Sequence, residues 1–419
     1  MPVLKAILID CLYAIAAIVS SPVWLTSMIA TGKIRTDWRG RFGHTPPLPP
    51  KVDRPRILFH AVSVGEVNAI RKLVEVISSD FDIVIASTTN TGFRRAVELY
   101  GSKYSVVRYP FDFSWMVRRF LKSINPDMVA LVELELWPNF IRRCSRIPIP
   151  VVIVNGRLSQ RSFHGYIRIR PFITRMFHAV TAVAAQDDAI ANRFRQLGVQ
   201  PNHLQVIPSM KWDNAIIQDS IDESEELAQS FGLDLSQPII VAGSTAEDEE
   251  LLLNEVIPQE IQLIVAPRKP ERFDQAEAAL PGCVRRSVCK QYPNPAGSTT
   301  RFLLDTIGEL KAAYALADIV IVGRSFGNLY GSDMIEPIAL GKPTIIGPRT
   351  SDFQSIMHAF LRGQGILQIT REELPRTITQ LLHDERKRKQ LANNGRRVIR
   401  DHQGAVNRHA TLIRNMLNV

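Results

Sequence analysis

The chain has 419 residues, enough for two domains of ordinary size plus a short extra segment. Hydrophobic residues make up 45% of it and charged residues 22%, which excludes the disordered and collagen-like classes and leaves ample material for packed cores. The formal net charge of +10 points to an anionic partner, whether nucleic acid, an anionic membrane or a phosphorylated substrate, while Cys11, Cys144, Cys283 and Cys289 show neither CxxC pairing nor zinc-finger spacing, so no disulfide framework or structural metal is indicated.

Residues 7–30 form an almost uncharged apolar run, interrupted mainly by Asp10, Ser20, Ser21 and Pro22, that is long enough to enter or cross a bilayer. A cleaved signal peptide is the rival reading. The run is long for the apolar region of one, however, and no clear cleavage site precedes the basic segment. Lys33, Arg35, Arg39 and Arg41 follow the run and only Lys5 precedes it. Basic flanks stay in the cytoplasm, so the expectation is an uncleaved anchor over residues 1–34 in the inner membrane, with the folded body on the cytoplasmic face.

After a Pro-rich stretch at 45–55, short runs rich in Val and Ile alternate with longer amphipathic segments, the pattern of a parallel sheet with crossover helices. Strands are predicted at 56–62, 83–87, 106–109, 128–132, 151–154, 180–184 and 205–207. From 211 to 227 the chain turns polar and acidic. A second set follows at 239–242, 263–266, 302–304, 319–322, 344–346 and 366–369. The fold class is therefore α/β, with Rossmann-like domains over 35–213 and 224–419 joined by a linker at 214–223. Two similar parallel sheets in one chain suit the GT-B arrangement.

Polar residues recur just after these runs, where open α/β sheets bind ligands at the carboxyl ends of their strands. They are 63–66, 88–90, Glu133 and Glu135, 155–157, Ser244 and Thr245, Arg268, and Ser325. Polar turns follow strands for structural reasons too, and it is the recurrence in both halves that points to a ligand. Within His60-Ala-Val-Ser-Val-Gly-Glu66, Gly65 lets the backbone turn tightly and Glu66 projects near a helix start. A carboxylate there suits a general base, yet it equally suits simple complementation of the helix dipole, which lowers carboxylate basicity. Asp80-Phe-Asp82 has the DxD spacing of metal-dependent transferases but precedes its strand, at the wrong edge for a ligand, and reads as a turn. Residues 157–177 interleave Arg161, Arg168, Arg170 and Arg175 with Phe163, Tyr166, Phe172 and Phe177. That mixture suits a membrane interface bearing phosphorylated lipid, or a plain amphipathic helix; no nucleic-acid motif accompanies it, and no nucleic-acid partner is expected. The charge run at 383–400 reads as a solvated helix face.

Eight motifs carry a family resemblance: His60-Ala-Val-Ser-Val-Gly-Glu66, Glu133-Leu-Glu135-Leu-Trp-Pro-Asn139, Asn155-Gly-Arg-Leu-Ser159-Gln-Arg-Ser162, Met210-Lys211-Trp-Asp213, Gly243-Ser-Thr245, Pro267-Arg268-Lys-Pro-Glu-Arg-Phe273, Asp305-Thr-Ile-Gly-Glu309-Leu and Glu336-Pro-Ile-Ala-Leu-Gly-Lys-Pro343. In this order they resemble the motif set of bacterial 3-deoxy-D-manno-octulosonic acid (Kdo) transferases. The resemblance implies metal-independent, inverting transfer of Kdo from CMP-Kdo to a lipid A precursor such as lipid IVA, without a cofactor. It implies that Glu66 is the general base and that Lys211, Glu133 and Glu135 assist the transition state. Around the CMP moiety it implies Pro267, Arg268, Ile307, Gly308, Glu309, Asp333, Met334, Ile335 and Glu336. Ser244, Thr245 and Ser325 join them as strand-end polar residues of the same half, with the amides after Gly243 expected to cradle the phosphate. A monophosphate leaving group carries less charge than a diphosphate, so amides, Lys and Arg can stand in for a divalent metal.

The donor half departs from the family pattern. Ala246 and Lys269 replace the usual His residues, Gly323-Arg324-Ser-Phe326 replaces Gly-Gly-Ser-Phe, and Tyr330-Gly331-Ser332-Asp333 replaces Gly-Gly-His-Asn. Asp333 thereby sets an acceptor-only carboxylate near an anionic nucleotide, while Arg324 adds a cation. Two other readings stay open: a GT-B enzyme with a different nucleotide sugar, or a catalytically silent, membrane-tethered nucleotide-sugar binding protein. Retention of Glu66 and Lys211 argues against the second.

Overall fold

The computed structural model describes residues 2–30, 36–51 and 53–418. Its first element is one helix, Pro2–Ala30, within which Ala6–Thr26 is apolar and long enough to cross a bilayer, with a mean hydropathy of 2.0 and almost no burial. The hydroxyl interruptions are satisfied within the helix, since Ser20 donates to the Ala16 carbonyl and Thr26 to the Pro22 carbonyl. Of the expected basic flank, Arg39 and Arg41 lie in a short helical turn, Trp38–Arg41, while Lys33 and Arg35 fall outside the described residues.

Seven strands build the first sheet: β1 (Arg56–His60), β2 (Asp82–Ser87), β3 (Ser105–Arg108), β4 (Met128–Val132), β5 (Val151–Gly156), β6 (Ala182–Ala185) and β7 (Leu204–Val206), in the order β3-β2-β1-β4-β5-β6-β7 and all parallel. Helices cover both faces, which is why β4 and the middle of β1, Ile57 to Phe59, are apolar without alternation and both strands are buried along their whole length. Successive side chains still part to opposite faces. Leu58, Leu131 and Ile153 join Phe120, Phe140 and Phe177 in one core, while Ile57, Phe59, Ala130 and Val152 join Leu73 and Ile413 in the other.

The second sheet contains β8 (Ile239–Thr245), β9 (Gln262–Pro267), β10 (Val284–Arg285), β11 (Arg301–Leu303), β12 (Ile319–Val322), β13 (Thr344–Ile346) and β14 (Leu367–Gln368), again parallel, ordered β10-β11-β9-β8-β12-β13-β14. Every predicted strand is present, with ends shifted by at most three residues. The exception to the prediction is β10, whose two residues are too few to show a pattern.

The chain divides into two compact units, one of Met1–Asn214 with Gly404–Val419 and one of Ala215–Gln403. The expected second domain, 224–419, therefore ends early, because the last helix, Ala405–Leu417, returns to the first unit. Val406, Ala410 and Ile413 bury their side chains in its core. Both Asp213 carboxylate oxygens accept backbone N–H groups at the start of that helix, from Gly404 and Val406 at 2.6 Å each. Asp80 and Asp82 are each engaged in ion pairs, with Arg414 at 2.7 Å and Arg56 at 2.6 Å, as befits a turn.

Candidate active site

Glu66 sits one turn into the helix Val64–Ala69, directly beyond β1. Ser63 caps that helix: its hydroxyl oxygen accepts the Glu66 N–H at 3.3 Å and its O–H donates to Glu66 Oε1 at 2.9 Å. The Val62 N–H donates to Oε2 at 2.8 Å. Both carboxylate oxygens are thus oriented, on a side chain only 9% exposed. Burial pushes the Glu66 carboxyl up to about 7, the Val62 amide pulls it back, and Glu133 and Glu135 add to the rise while Ser63 opposes it. The lowered basicity expected of a helix start is outweighed by desolvation and by two neighbouring carboxylates. His60, in the same motif, is fully buried, stacks on Tyr109 at 3.6 Å and shares a hydrogen bond with Thr88 Oγ1 at 2.9 Å. Burial pulls it down to about 3, so it stays neutral and serves to tie the ends of β1 and β2 together.

The ends of β4 and β5 carry two residues in the left-handed region, Glu133 at φ 60° and Asn155 at φ 54°. For residues with a Cβ this costs about 1–3 kcal/mol each, and such strain gathers at functional sites. Glu133 keeps its sheet pairing through its N–H to the Val154 carbonyl at 3.0 Å, and its carboxylate lies 4.0 Å from Arg157 Nη1. Glu135 accepts the Trp137 indole N–H at 3.0 Å. Its carboxyl is raised by burial, against the pull of Trp137 and with a further push from Glu133. Asn155 is fully buried and its Oδ1 accepts the Met210 N–H at 3.1 Å, which fixes the 3-10 turn Met210–Asn214 that carries Lys211. That turn packs against the Val64–Ala69 helix. His409, from the returning C-terminal helix, completes the support, its Nε2 accepting the Asn155 N–H at 2.9 Å. Glu66, Glu133, Glu135 and Lys211 therefore share the carboxyl edge of the first sheet, where a base with proton affinity near neutrality can accept a hydroxyl proton.

In the second unit the expected donor residues divide into two groups. Thr245 and Ser325 are fully buried. The Thr245 hydroxyl donates to Glu250 at 2.8 Å, and the Ser325 hydroxyl donates to the Val322 carbonyl at 2.6 Å while accepting the Gly347 N–H at 2.9 Å. Both are committed to the fold. The phosphate cradle expected after Gly243 is also partly filled, by the buried Glu249 carboxylate, which accepts Ala246, Ser325 and Phe326 N–H groups at 2.9 Å each and Arg324 N–H at 2.7 Å. The physical reason is the left-handed Arg324, φ 57°, which helps aim successive amides at one point that a carboxylate of this chain already occupies. Pro267, Met334 and Ile335 are buried as well, whereas Arg268, Ile307, Gly308, Asp333 and Glu336 are exposed and Ser244 and Glu309 are partly so. Gly308 and Glu309 line a cavity of about 570 Å³ together with Lys290 and Lys311, and Arg286 holds Glu309 at 2.6 Å. Asp333 Oδ1 accepts the Ile335 N–H at 2.9 Å at the start of the helix Ile335–Ala339, a task that an Asn carbonyl would perform equally.

Two features escaped the sequence reading. A Cβ on Gly243 would lie 1.9 Å from the hydroxyl of buried Tyr314, so glycine is required there for the close approach of that ring. Its signal was a lone Tyr in the Ala-rich segment LKAAYAL. The second is an exposed aromatic cluster of Trp38, Phe42, Phe111 and Trp115, with Phe42 stacked on Trp115 at 6.2 Å and Arg119 5.2 Å above Trp115. Trp38 and Phe42 were visible directly after the apolar run. The 157–177 segment is only partly the expected surface: Gln160–Arg168 buries none of its residues and Phe172 is exposed, but Phe177 belongs to the core, 5.8 Å from Phe194.

Residues 36–214 match the family described as 3-deoxy-D-manno-octulosonic-acid transferase (kdotransferase). The 3-deoxy-D-manno-octulosonic acid transferase of Haemophilus influenzae is 32% identical over 377 residues, spanning 86% of this chain and 87% of that protein. That of Bordetella pertussis is 29% identical over 408 residues, spanning 92% and 93%. Among solved structures, Anabaena HepE in complex with UDP is similar over 87% of this chain and 100% of its own, with a TM-score of 0.59 at 14% identity. Likeness at that identity bears on fold alone, and the shared fold is GT-B, with two parallel α/β units.

Proposed function

This chain belongs to the family of 3-deoxy-D-manno-octulosonic acid transferases, and from that premise we propose that it transfers Kdo from CMP-Kdo to a hydroxyl of a lipid A precursor such as lipid IVA, with inversion and without a metal. The first unit takes the acceptor and the second the CMP moiety. The observation that carries the reading is the Glu66 carboxyl, buried, gripped at both oxygens and raised to about 7.

Glu66 accepts the proton of the acceptor hydroxyl as that oxygen forms its bond to the anomeric carbon. On the opposite side of that carbon the bond to the phosphate oxygen breaks, and CMP leaves with the electron pair. In the second unit Arg268 pairs with the CMP phosphate, and Lys211 of the first unit assists the transition state. Burial keeps the proton affinity of Glu66 high enough to act at neutral pH, and Glu133 and Glu135 add to it. The apolar helix Ala6–Thr26 anchors the protein to the inner membrane, and the exposed Trp38, Phe42, Phe111 and Trp115 beside Arg41 and Arg119 suit the membrane interface, with the folded body on the cytoplasmic side.

The test is the full-length protein with CMP-Kdo and lipid IVA in mixed micelles, in the presence of EDTA, with lipid products resolved by mass and CMP release followed in parallel. Addition of Kdo to the lipid, one CMP per sugar, is the expected result. Donor binding with no product from any lipid acceptor would overturn the assignment in favour of a silent binding protein.

A further inference from the structure

The N-terminal helix is fastened to the first unit by polar contacts that a simple tether has no need of. Asp10 Oδ1 accepts the Ser114 N–H and the Asn139 side-chain N–H at 2.9 Å each, and Asp10 Oδ2 accepts the Ser114 hydroxyl at 2.5 Å. One turn on, the Tyr13 hydroxyl donates to Asp112 at 3.0 Å, and Asp112 in turn accepts the Asn139 and Phe140 N–H groups at the start of the helix Pro138–Arg146. A carboxylate within a membrane-spanning segment is costly unless paired, so Asp10 marks a docking point. Its contacts lay the N-terminal helix against Ser114–Ile124 and Pro138–Arg146.

This docking leaves a cavity of about 400 Å³ between Leu8 and Ile9 of the N-terminal helix, Ile141 and Arg142 of Pro138–Arg146, and Arg175 and Met176 of the helix Arg170–Phe177. That volume lies in the range of small-molecule sites. The walls are apolar apart from the arginines and Ser145, and Arg142 also donates to Asn139 Oδ1 at 3.2 Å.

We propose that this cavity receives an acyl chain of the phosphorylated acceptor lipid, with Arg142 and Arg175 meeting a phosphate, so that the N-terminal helix forms one wall of the acceptor site. The inference rests on the transferase reading. Three observations carry it. One wall is the segment apolar enough to lie in the bilayer, so the cavity opens where acyl chains are. Two guanidinium groups beside an apolar chamber match the chemistry of a lipid phosphate and not that of an apolar peptide. Pro138 also lines the cavity and closes the segment that carries Glu133 and Glu135, whose charges bear on Glu66, so one stretch of chain links the chamber to the neighbours of the proposed base.

The experiment reconstitutes the full-length protein in proteoliposomes with a bis-phosphorylated glucosamine disaccharide lipid carrying a diazirine at one acyl terminus. Irradiation is expected to label peptides containing Leu8, Ile141 or Met176, and Ala179→Trp, which fills the cavity, is expected to cut that labelling at least five-fold. Arg175→Gln, a surface change that spares the core, is expected to raise KM for the acceptor about ten-fold with KM for CMP-Kdo unchanged. Labelling confined to the outward Ile15 and Ile18, or equal labelling by phosphatidylglycerol with the same diazirine, would overturn the acceptor assignment. Selective labelling without transfer to any acceptor would instead sink the transferase reading and leave the lipid site standing.

Discussion

Replacing Glu66 by Gln separates chemistry from stability in one variant, with opposite signs. The Gln side chain can keep the contacts of the carboxylate, its oxygen accepting the Val62 N–H and its amide donating to Ser63 Oγ, which are now at 2.8 and 2.9 Å from the carboxylate oxygens. It cannot take a proton from an attacking hydroxyl, so turnover is expected to fall about 10² to 10⁴-fold with CMP affinity retained. The parent carboxyl ionises at about 7 when folded and at 4.5 ordinarily, so between those values the folded protein holds a proton that the unfolded chain has lost. Stability from this group is complete below pH 4.5, declines as pH rises, and is lost above pH 7, by about 3 kcal/mol at most. Gln removes the ionisation. At pH 8.5 the variant is expected to melt higher than the parent, by roughly 6–12 °C if the whole amount is expressed in a unit of this size, with the difference gone at pH 4.5. The parent's kcat/KM should also drop about ten-fold for each pH unit below 7. Turnover, CMP affinity and thermal melts at both pH values on one preparation decide the matter. Turnover within a few fold of the parent would transfer the base role to Glu133 or Glu135, and a melting difference independent of pH would refute the buried-carboxylate argument.

Arg268→Ala is expected to weaken CMP binding about ten-fold or more, in line with loss of a charge-assisted contact of about 1.5–3 kcal/mol, with acceptor KM unchanged; calorimetric titration with CMP checks this, and equal affinity removes Arg268 from the site. Gly243→Ala places a methyl 1.9 Å from the Tyr314 hydroxyl, so the second unit should lose about 1–3 kcal/mol of stability, read from a denaturant midpoint; an unshifted midpoint would show that the ring is free to move. Deletion of residues 1–34 should leave a folded, CMP-binding protein with much reduced sedimentation with membranes. Undiminished sedimentation would shift the attachment to the Trp38–Phe42–Trp115 cluster.

Strands and fold class were legible in the residues because a parallel strand buried on both faces must be an uninterrupted apolar run, as Met128–Val132 and Ile319–Val322 are. Glu66 was legible as a carboxylate at a strand-to-helix turn and Glu133 as a polar residue at the end of another strand, while Lys211 entered only through the motif resemblance. The apolar helix at the start was legible from length and hydropathy alone.

What the tertiary structure decided was environment and partners. The proton affinity of Glu66 depends on burial and on Glu133 and Glu135, which reach it only when β4 lies beside β1. Ser325 and Thr245 have the same strand-end position as Glu66, and whether such a residue faces a ligand or the fold turned on Val322, Gly347 and Glu250. The helix Ala405–Leu417 shows an apolar stripe that would suit either core, and the Asp213 cap and the His409–Asn155 bond assign it to the first. Asp10 stood out as an interruption, but Ser114 and Asn139, which make it tolerable, are distant in the chain. Periodicity and composition are local and survive in the sequence; desolvation and hydrogen-bond pairing join residues far apart, and these come into being only when the chain has folded.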